Sequence, residues 1–181
     1  MRHLPNLICL LRMALVWPIV VSIAHANYRQ TLLLFFIAAV SDGLDGFLAK
    51  RFHWTSQLGK LLDPLADKLL LVSVFLVATW YGLIPRWLTI AAVGRDVLIV
   101  LGALAYHIGR GPLKGRPIFS SKINTLLQLL YVLAIVAHAG YGFPPQSVLD
   151  ALAWLTFATV LISGVAYVRE FTRRALQVAR A

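Results

Sequence analysis

Apolar residues run along the chain in six long blocks, each closed by a short polar or Pro/Gly-marked gap. The blocks cover Leu4–Ala26, Thr31–Lys50, Leu58–Tyr81, Arg86–His107, Ser121–Ala139 and Val148–Val168. A helix needs about 20 apolar residues to cross a bilayer's hydrocarbon core, and each block has that length. The gaps (residues 25–29, 52–57, 82–85, 108–119 and 140–146) are short enough to join antiparallel neighbours. The pattern predicts an all-α fold: a polytopic integral membrane protein with six transmembrane helices. No internal repeat or low-complexity stretch divides it, so residues 1–181 read as a single membrane domain. Ala24-His25-Ala26 has the small-residue spacing of a leader cleavage site. However, Arg12 and Pro18 interrupt the preceding block and five further blocks follow, so the first span is expected to be retained.

Composition strengthens this reading. Apolar residues make up 60% of the chain and charged residues 13%, against about 45–50% and about 25% in soluble domains. Mean hydropathy is +0.78. A soluble globule, a disordered chain and a fibrous chain are all excluded. The lone cysteine, Cys9, cannot form an internal disulfide. The net charge is +10, from 17 Lys and Arg against 7 Asp and Glu. With the N-terminus cytoplasmic, the inner segments hold eleven basic residues and the outer loops only Arg29 and Arg86. That bias predicts both termini on the cytoplasmic side. The excess positive charge suits anionic lipid headgroups. It does not suit nucleic acid, because no basic run carries interleaved aromatics.

The acids change the picture from architecture to chemistry. Asp42, Asp45, Asp63 and Asp67 fall within 26 residues and inside predicted spans. Each Asp at a span centre costs roughly 2.5–3.5 kcal/mol, an expense that packing alone does not explain. Asp42 and Asp45 are three apart on the second helix, and Asp63 and Asp67 four apart on the third, so each pair shares a face. Measured from the turn at residues 52–57, the first pair lies about 15 and 10 Å down one helix and the second about 9 and 15 Å down the other. The pairs are therefore level, and four carboxylates can form one cluster. Such a cluster stays ionised only when cations compensate it. All-oxygen ligands suit Mg²⁺, Mn²⁺ or Ca²⁺, and two such ions can clamp a phosphoryl or pyrophosphate group. Gly43, Gly46 and Gly59 lie on or beside the same faces. Glycine there serves either close helix packing or the approach of a flat ligand to the backbone.

The run Asp42-Gly43-Leu44-Asp45-Gly46-Phe47-Leu48-Ala49-Lys50, followed by eight residues, Gly59, Asp63 and Asp67, resembles the signature of the CDP-alcohol phosphatidyltransferase family. That signature reads D-x-x-D-G-x-x-A-R-x8-G-x3-D-x3-D. Every fixed position matches in spacing, and only Lys50 differs in type, standing where the family usually has Arg. The resemblance implies transfer of a phosphatidyl group from CDP-diacylglycerol to an alcohol, with release of CMP. It implies that two divalent ions, Mg²⁺ or Mn²⁺, are held by Asp42, Asp45, Asp63 and Asp67, with Asp67 also the general base. It places Gly46, Ala49 and Gly59 against the cytidine nucleotide and Lys50 near the donor phosphates. Lys50 is a point charge and cannot form the bidentate fork of Arg. A homodimer in a bacterial-type inner membrane is implied as well.

Remaining charges bear on the acceptor. Arg12, Arg95 and Lys122 lie inside spans, toward the cytoplasmic side or mid-depth, and could surround an acceptor phosphate. Asp96 is adjacent to Arg95 and so should not face it on a helix; Arg95 is expected to seek another anion. Lys68 is expected to snorkel or pair internally. The segments Gly94–Val97 and Ser121–Thr125 look closer to the cardiolipin synthase branch than to the phosphatidylglycerophosphate synthase branch. Asn124 stands where the latter resemblance would place a second cation. Phosphatidylglycerol is thus the favoured acceptor, with glycerol-3-phosphate the alternative. A carboxylate-lined ion transporter is a more distant reading, disfavoured because all four Asp lie toward one side and no inverted repeat is present.

Overall fold

The computed structural model describes the backbone of residues 4–52, 57–110 and 119–179, and the side chains of residues 10–41, 66–104, 119–170 and 172–173. Among the described residues the regular structure is helical: α1 (Leu4–Ala24), α2 (Tyr28–Phe52), α3 (Gln57–Trp80), α4 (Arg86–Arg110), α5 (Phe119–Tyr141) and α6 (Gln146–Ala179). The all-helical expectation holds, with most helix ends close to those read from hydropathy. The main difference is α6, which runs on through Arg169, Arg173 and Arg174 to Ala179. Hydropathy marks where a helix leaves hydrocarbon, not where it ends, and Val168–Ala179 contains neither Gly nor Pro to stop it.

Among the described residues, Arg86–Leu104, Phe119–Tyr141 and Gln146–Glu170 are long and apolar enough to cross a membrane. Leu10–Ala24 and Tyr28–Ser41 are shorter apolar helical stretches.

The chain forms two compact units. The first comprises Met1–Ile84 and Val132–Gln146. In it α1 packs on both α2 and α3. Ala66, Leu70, Leu71, Val74, Phe75 and Ala78 are buried, at the spacing of one face of α3. Ile19 and Ile23 are buried on α1. A hydroxyl contact joins α1 to α2: Ser22 Oγ and Thr31 Oγ1 lie 2.7 Å apart, both buried. Such side-chain bonds matter in hydrocarbon, where apolar contact does not by itself favour protein over lipid.

Local signals fix the turns of this unit. The end of α1 is a Schellman cap: Asn27 N–H donates to Ser22 O and Ala26 N–H to Ile23 O. Ala26 takes φ 54 there. The residues that resemble a cleavage site thus form a helix cap. Asn27 then caps α2, its Oδ1 accepting from Gln30 N–H at 3.4 Å while its Nδ2 donates to Gln30 Oε1 at 2.9 Å. At the end of α3, Leu83 N–H donates to Ala78 O and Gly82 N–H to Thr79 O, with Gly82 at φ 76.

The second unit comprises Pro85–Tyr131 and Ser147–Ala181. On α6, Leu149, Ala153, Thr156, Val160 and Ser163 are buried. Their alternating four- and three-residue spacing is that of a helix-packing seam. On α4 the buried row is Leu88, Thr89, Ala92, Arg95 and Asp96, and on α5 it includes Asn124, Gln128 and Tyr131. This core is therefore mixed, with hydroxyls, amides and an ion pair interleaved among aliphatic residues. Trp87, Trp154 and Phe157 form an aromatic cluster, with Trp87 and Trp154 stacked at 5.1 Å.

Candidate functional site

The signature residues fall on two helices. Asp42, Asp45, Gly46, Ala49 and Lys50 lie on α2, and Gly59, Asp63 and Asp67 on α3. α2 ends at Phe52 and α3 begins at Gln57. Of this set only the Asp67 side chain is among those described. The expected gathering of Asp42, Asp45 and Asp63, and the nucleotide contacts of Gly46, Ala49, Lys50 and Gly59, lie outside the described residues.

Asp67 extends the buried face of α3 one turn beyond Leu70 and Leu71, toward the start of the helix. Its partner comes from α1: Arg12 Nη1 donates to Asp67 Oδ1, forming an ion pair. The two side chains differ sharply in exposure, 0% for Arg12 and 34% for Asp67. The guanidinium is enclosed, whereas the carboxylate is open to a ligand. Residues 12 and 67 are 55 apart in sequence, and no helical spacing in either segment announces the pair.

In the second unit Arg95 is the hub of a polar cluster. Its Nη1 donates to Asp96 Oδ1 at 2.7 Å, and its Nη2 donates to Ser121 Oγ at 2.8 Å and to Ser163 Oγ. Its guanidinium also lies 5.5 Å from the centre of the Tyr167 ring. One side chain of α4 thereby ties α5 and α6. This corrects the expectation that Arg95 could not meet Asp96. The one-residue rule describes Cβ directions, but three methylenes let the guanidinium fold back onto its neighbour. The buried anion it needs is therefore adjacent in sequence.

The other acceptor candidates are placed differently. Lys122 is exposed, although its neighbour Ser121 joins the Arg95 cluster. Asn124 is fully buried, and its Oδ1 accepts from Thr159 Oγ1 at 3.2 Å. Any influence of Asn124 on the acceptor is thus exerted from inside the α5–α6 seam. Among the described residues, the buried Asn124 Nδ2, Gln128 Nε2 and Thr156 Oγ1 have no hydrogen-bond partner. Lys68 keeps its ammonium nitrogen buried rather than turned outward. The signal that could have identified this polar core is the four-and-three spacing of Thr156 and Ser163 among aliphatic residues on α6, which marks them as inward-facing.

Carboxylate oxygens are the hard donors that suit a divalent cation. The one signature carboxylate whose side chain is described is open to a ligand and already carries a compensating cation behind it. Among the described residues no three His, Cys, Asp or Glu side chains come together, and the other three aspartates of the signature lie outside that set.

Comparison with known proteins places the chain. Residues 2–165 match the family model for CDP-alcohol phosphatidyltransferase. The chain belongs to the CDP-alcohol phosphatidyltransferase family. It is similar to the cardiolipin synthase (CMP-forming) of Rattus norvegicus, 30% identical over 193 residues, which cover 97% of this chain and 63% of that protein. It is also similar to the CDP-diacylglycerol–glycerol-3-phosphate 3-phosphatidyltransferase of Bacillus subtilis, 30% identical over 187 residues, covering 92% of this chain and 94% of that protein. A Streptomyces coelicolor cardiolipin synthase (CMP-forming) is 35% identical over 126 residues, 68% of this chain and 52% of the relative. The chain thus spans less than two thirds of the length of the rat relative and nearly all of the Bacillus one.

Proposed function

We propose that this chain transfers a phosphatidyl group from CDP-diacylglycerol to a glycerol-containing acceptor, releasing CMP, as a step of phospholipid synthesis. Family membership supports the chemistry, and the observation that carries the site is the open carboxylate of Asp67 at the last position of the signature. In this reading the acceptor hydroxyl attacks the lipid-bearing phosphorus, the bond from that phosphorus to the CMP oxygen breaks, and the proton of the hydroxyl passes to Asp67. Asp42, Asp45, Asp63 and Asp67 would hold two divalent cations, Mg²⁺ or Mn²⁺. Bound there, such ions neutralise the donor's pyrophosphate and the departing CMP. Gly46, Ala49 and Gly59 would lie against the nucleotide, and Lys50 would approach its phosphates.

The favoured acceptor is phosphatidylglycerol, giving cardiolipin. Support comes from the resemblance of Gly94–Val97 and Ser121–Thr125 to that branch and from relatives named cardiolipin synthase. Lys122, which is exposed, is the candidate for its phosphodiester, while the enclosed and paired positions of Arg12 and Arg95 favour different roles. Glycerol-3-phosphate is the second reading, favoured by the Bacillus relative, which matches almost end to end. The chain acts as a single six-span domain in a bacterial-type inner membrane, with both termini cytoplasmic, and as a homodimer. The test is a detergent or vesicle assay with CDP-diacylglycerol and either acceptor, scoring CMP and the lipid product. Cardiolipin supports the full reading. Phosphatidylglycerophosphate alone would overturn the acceptor and keep the chemistry.

A further inference from the structure

We infer that Arg12 is a positioning residue for Asp67, holding the carboxylate oriented toward the acceptor hydroxyl, and that it is not a ligand of the acceptor's phosphate. This rests on the function proposed above. Three observations carry it. Arg12 Nη1 donates directly to Asp67 Oδ1 across the α1–α3 contact. The Arg12 side chain is fully enclosed and the Asp67 side chain one-third exposed, so a ligand reaching the site meets the carboxylate while the guanidinium stays behind it. Asp67 continues the buried face of α3, and α1 packs on that helix, so the pair is built into the packing of the first unit.

The chemistry asks for such a device. A carboxylate on a single helix can rotate about its own side-chain torsions, and a general base works only when its oxygen lies within hydrogen-bond reach of the proton it takes. Fixing one oxygen with a charge-assisted bond restricts that rotation. An arginine given to an acceptor phosphate would instead need its guanidinium on the open side. In a membrane span an enclosed arginine is costly unless it is paired, and Asp67 is a partner that offsets that cost.

The test compares the parent with Arg12→Gln and Arg12→Lys in detergent, reading three quantities: kcat, KM for each substrate, and Mn²⁺ binding by electron paramagnetic resonance without substrate. Arg12→Gln should lower kcat by roughly 10–100-fold, the scale on which groups orienting a ligand act. KM for both substrates should stay within about threefold, as expected when an interaction specific to the transition state is lost. Mn²⁺ binding should weaken by no more than about threefold, because Asp42, Asp45 and Asp63 would keep their oxygens and the loss of a repelling charge offsets the freer Asp67. Arg12→Lys should recover part of the lost kcat, since it keeps the charge but not the planar geometry. In an Asp67→Asn background Arg12→Gln should cost almost nothing more, because the two residues act as one unit.

A rise in acceptor KM with kcat unchanged would overturn the inference and assign Arg12 to the acceptor. Loss of Mn²⁺ binding together with kcat would also overturn it, reducing Arg12 to a support for the fold. Should Arg12→Gln fail to fold, Arg12→Lys decides alone: kcat must fall with KM and Mn²⁺ binding held. A parent that releases no CMP counts against the proposed function itself, before any variant is compared.

Discussion

Among the described residues two arginines are buried, and each solves the same physical problem differently. A guanidinium inside an apolar helix assembly needs an anion within reach. Arg95 takes the adjacent Asp96 and spreads its remaining bonds over Ser121 and Ser163. Arg12 takes Asp67 from another helix. Neither pairing follows from spacing along one helix, because the first depends on side-chain length and the second on which helices pack together. The sequence does mark Asp67 itself, through four acids inside apolar spans and their fit to a family signature. Asp67→Asn keeps the size of the side chain and removes its charge and basicity. Turnover should fall by at least ~10²-fold, the lower end for loss of general-base catalysis. The check is steady-state CMP release by purified variant and parent under saturating substrates; normal turnover would require another base.

At the scale of the helices most of the architecture is legible in hydropathy. Blocks of apolar residues and their Pro/Gly-marked gaps locate α1 to α5 within a few residues. The overshoot of α6 to Ala179 is not legible this way, since hydropathy is blind to a helix that continues into a polar medium. The inward face of α6 is readable once the alternation of Leu149, Ala153, Thr156, Val160 and Ser163 is counted, yet two of those five are polar and hide the stripe. Thr156 is instructive: it is fully buried and its hydroxyl has no partner among the described residues. Thr156→Val preserves the shape and removes that unmet hydroxyl. It should be neutral or stabilising by up to about 1 kcal/mol, judged by the cost of leaving a buried polar group unpaired. Thermal unfolding of the detergent-solubilised protein measures this, and a clear loss of stability would mean that the hydroxyl has a partner in the native membrane.

At the scale of the whole molecule the two units divide the labour expected of the chain. One holds the signature helices α2 and α3 with α1 against them, and the other holds the Arg95 cluster within α4 to α6. Family membership supports the proposed class of reaction. The cation requirement follows from the repulsion of the proposed four-carboxylate cluster. Excess chelator should abolish CMP release, and Mg²⁺ or Mn²⁺ should restore it, whereas full activity in excess chelator would contradict the two-cation reading. Acceptor choice is the least legible property, because relatives with either acceptor share about the same identity with this chain.

The central claim is tested most directly by product analysis. Purified protein is given CDP-diacylglycerol, Mn²⁺, phosphatidylglycerol and glycerol-3-phosphate together, and CMP and the lipid products are measured by mass spectrometry. CMP is expected in equal amount to a new phospholipid, with cardiolipin as that lipid. CDP-diacylglycerol consumed without any new phospholipid, or not consumed at all, would contradict it.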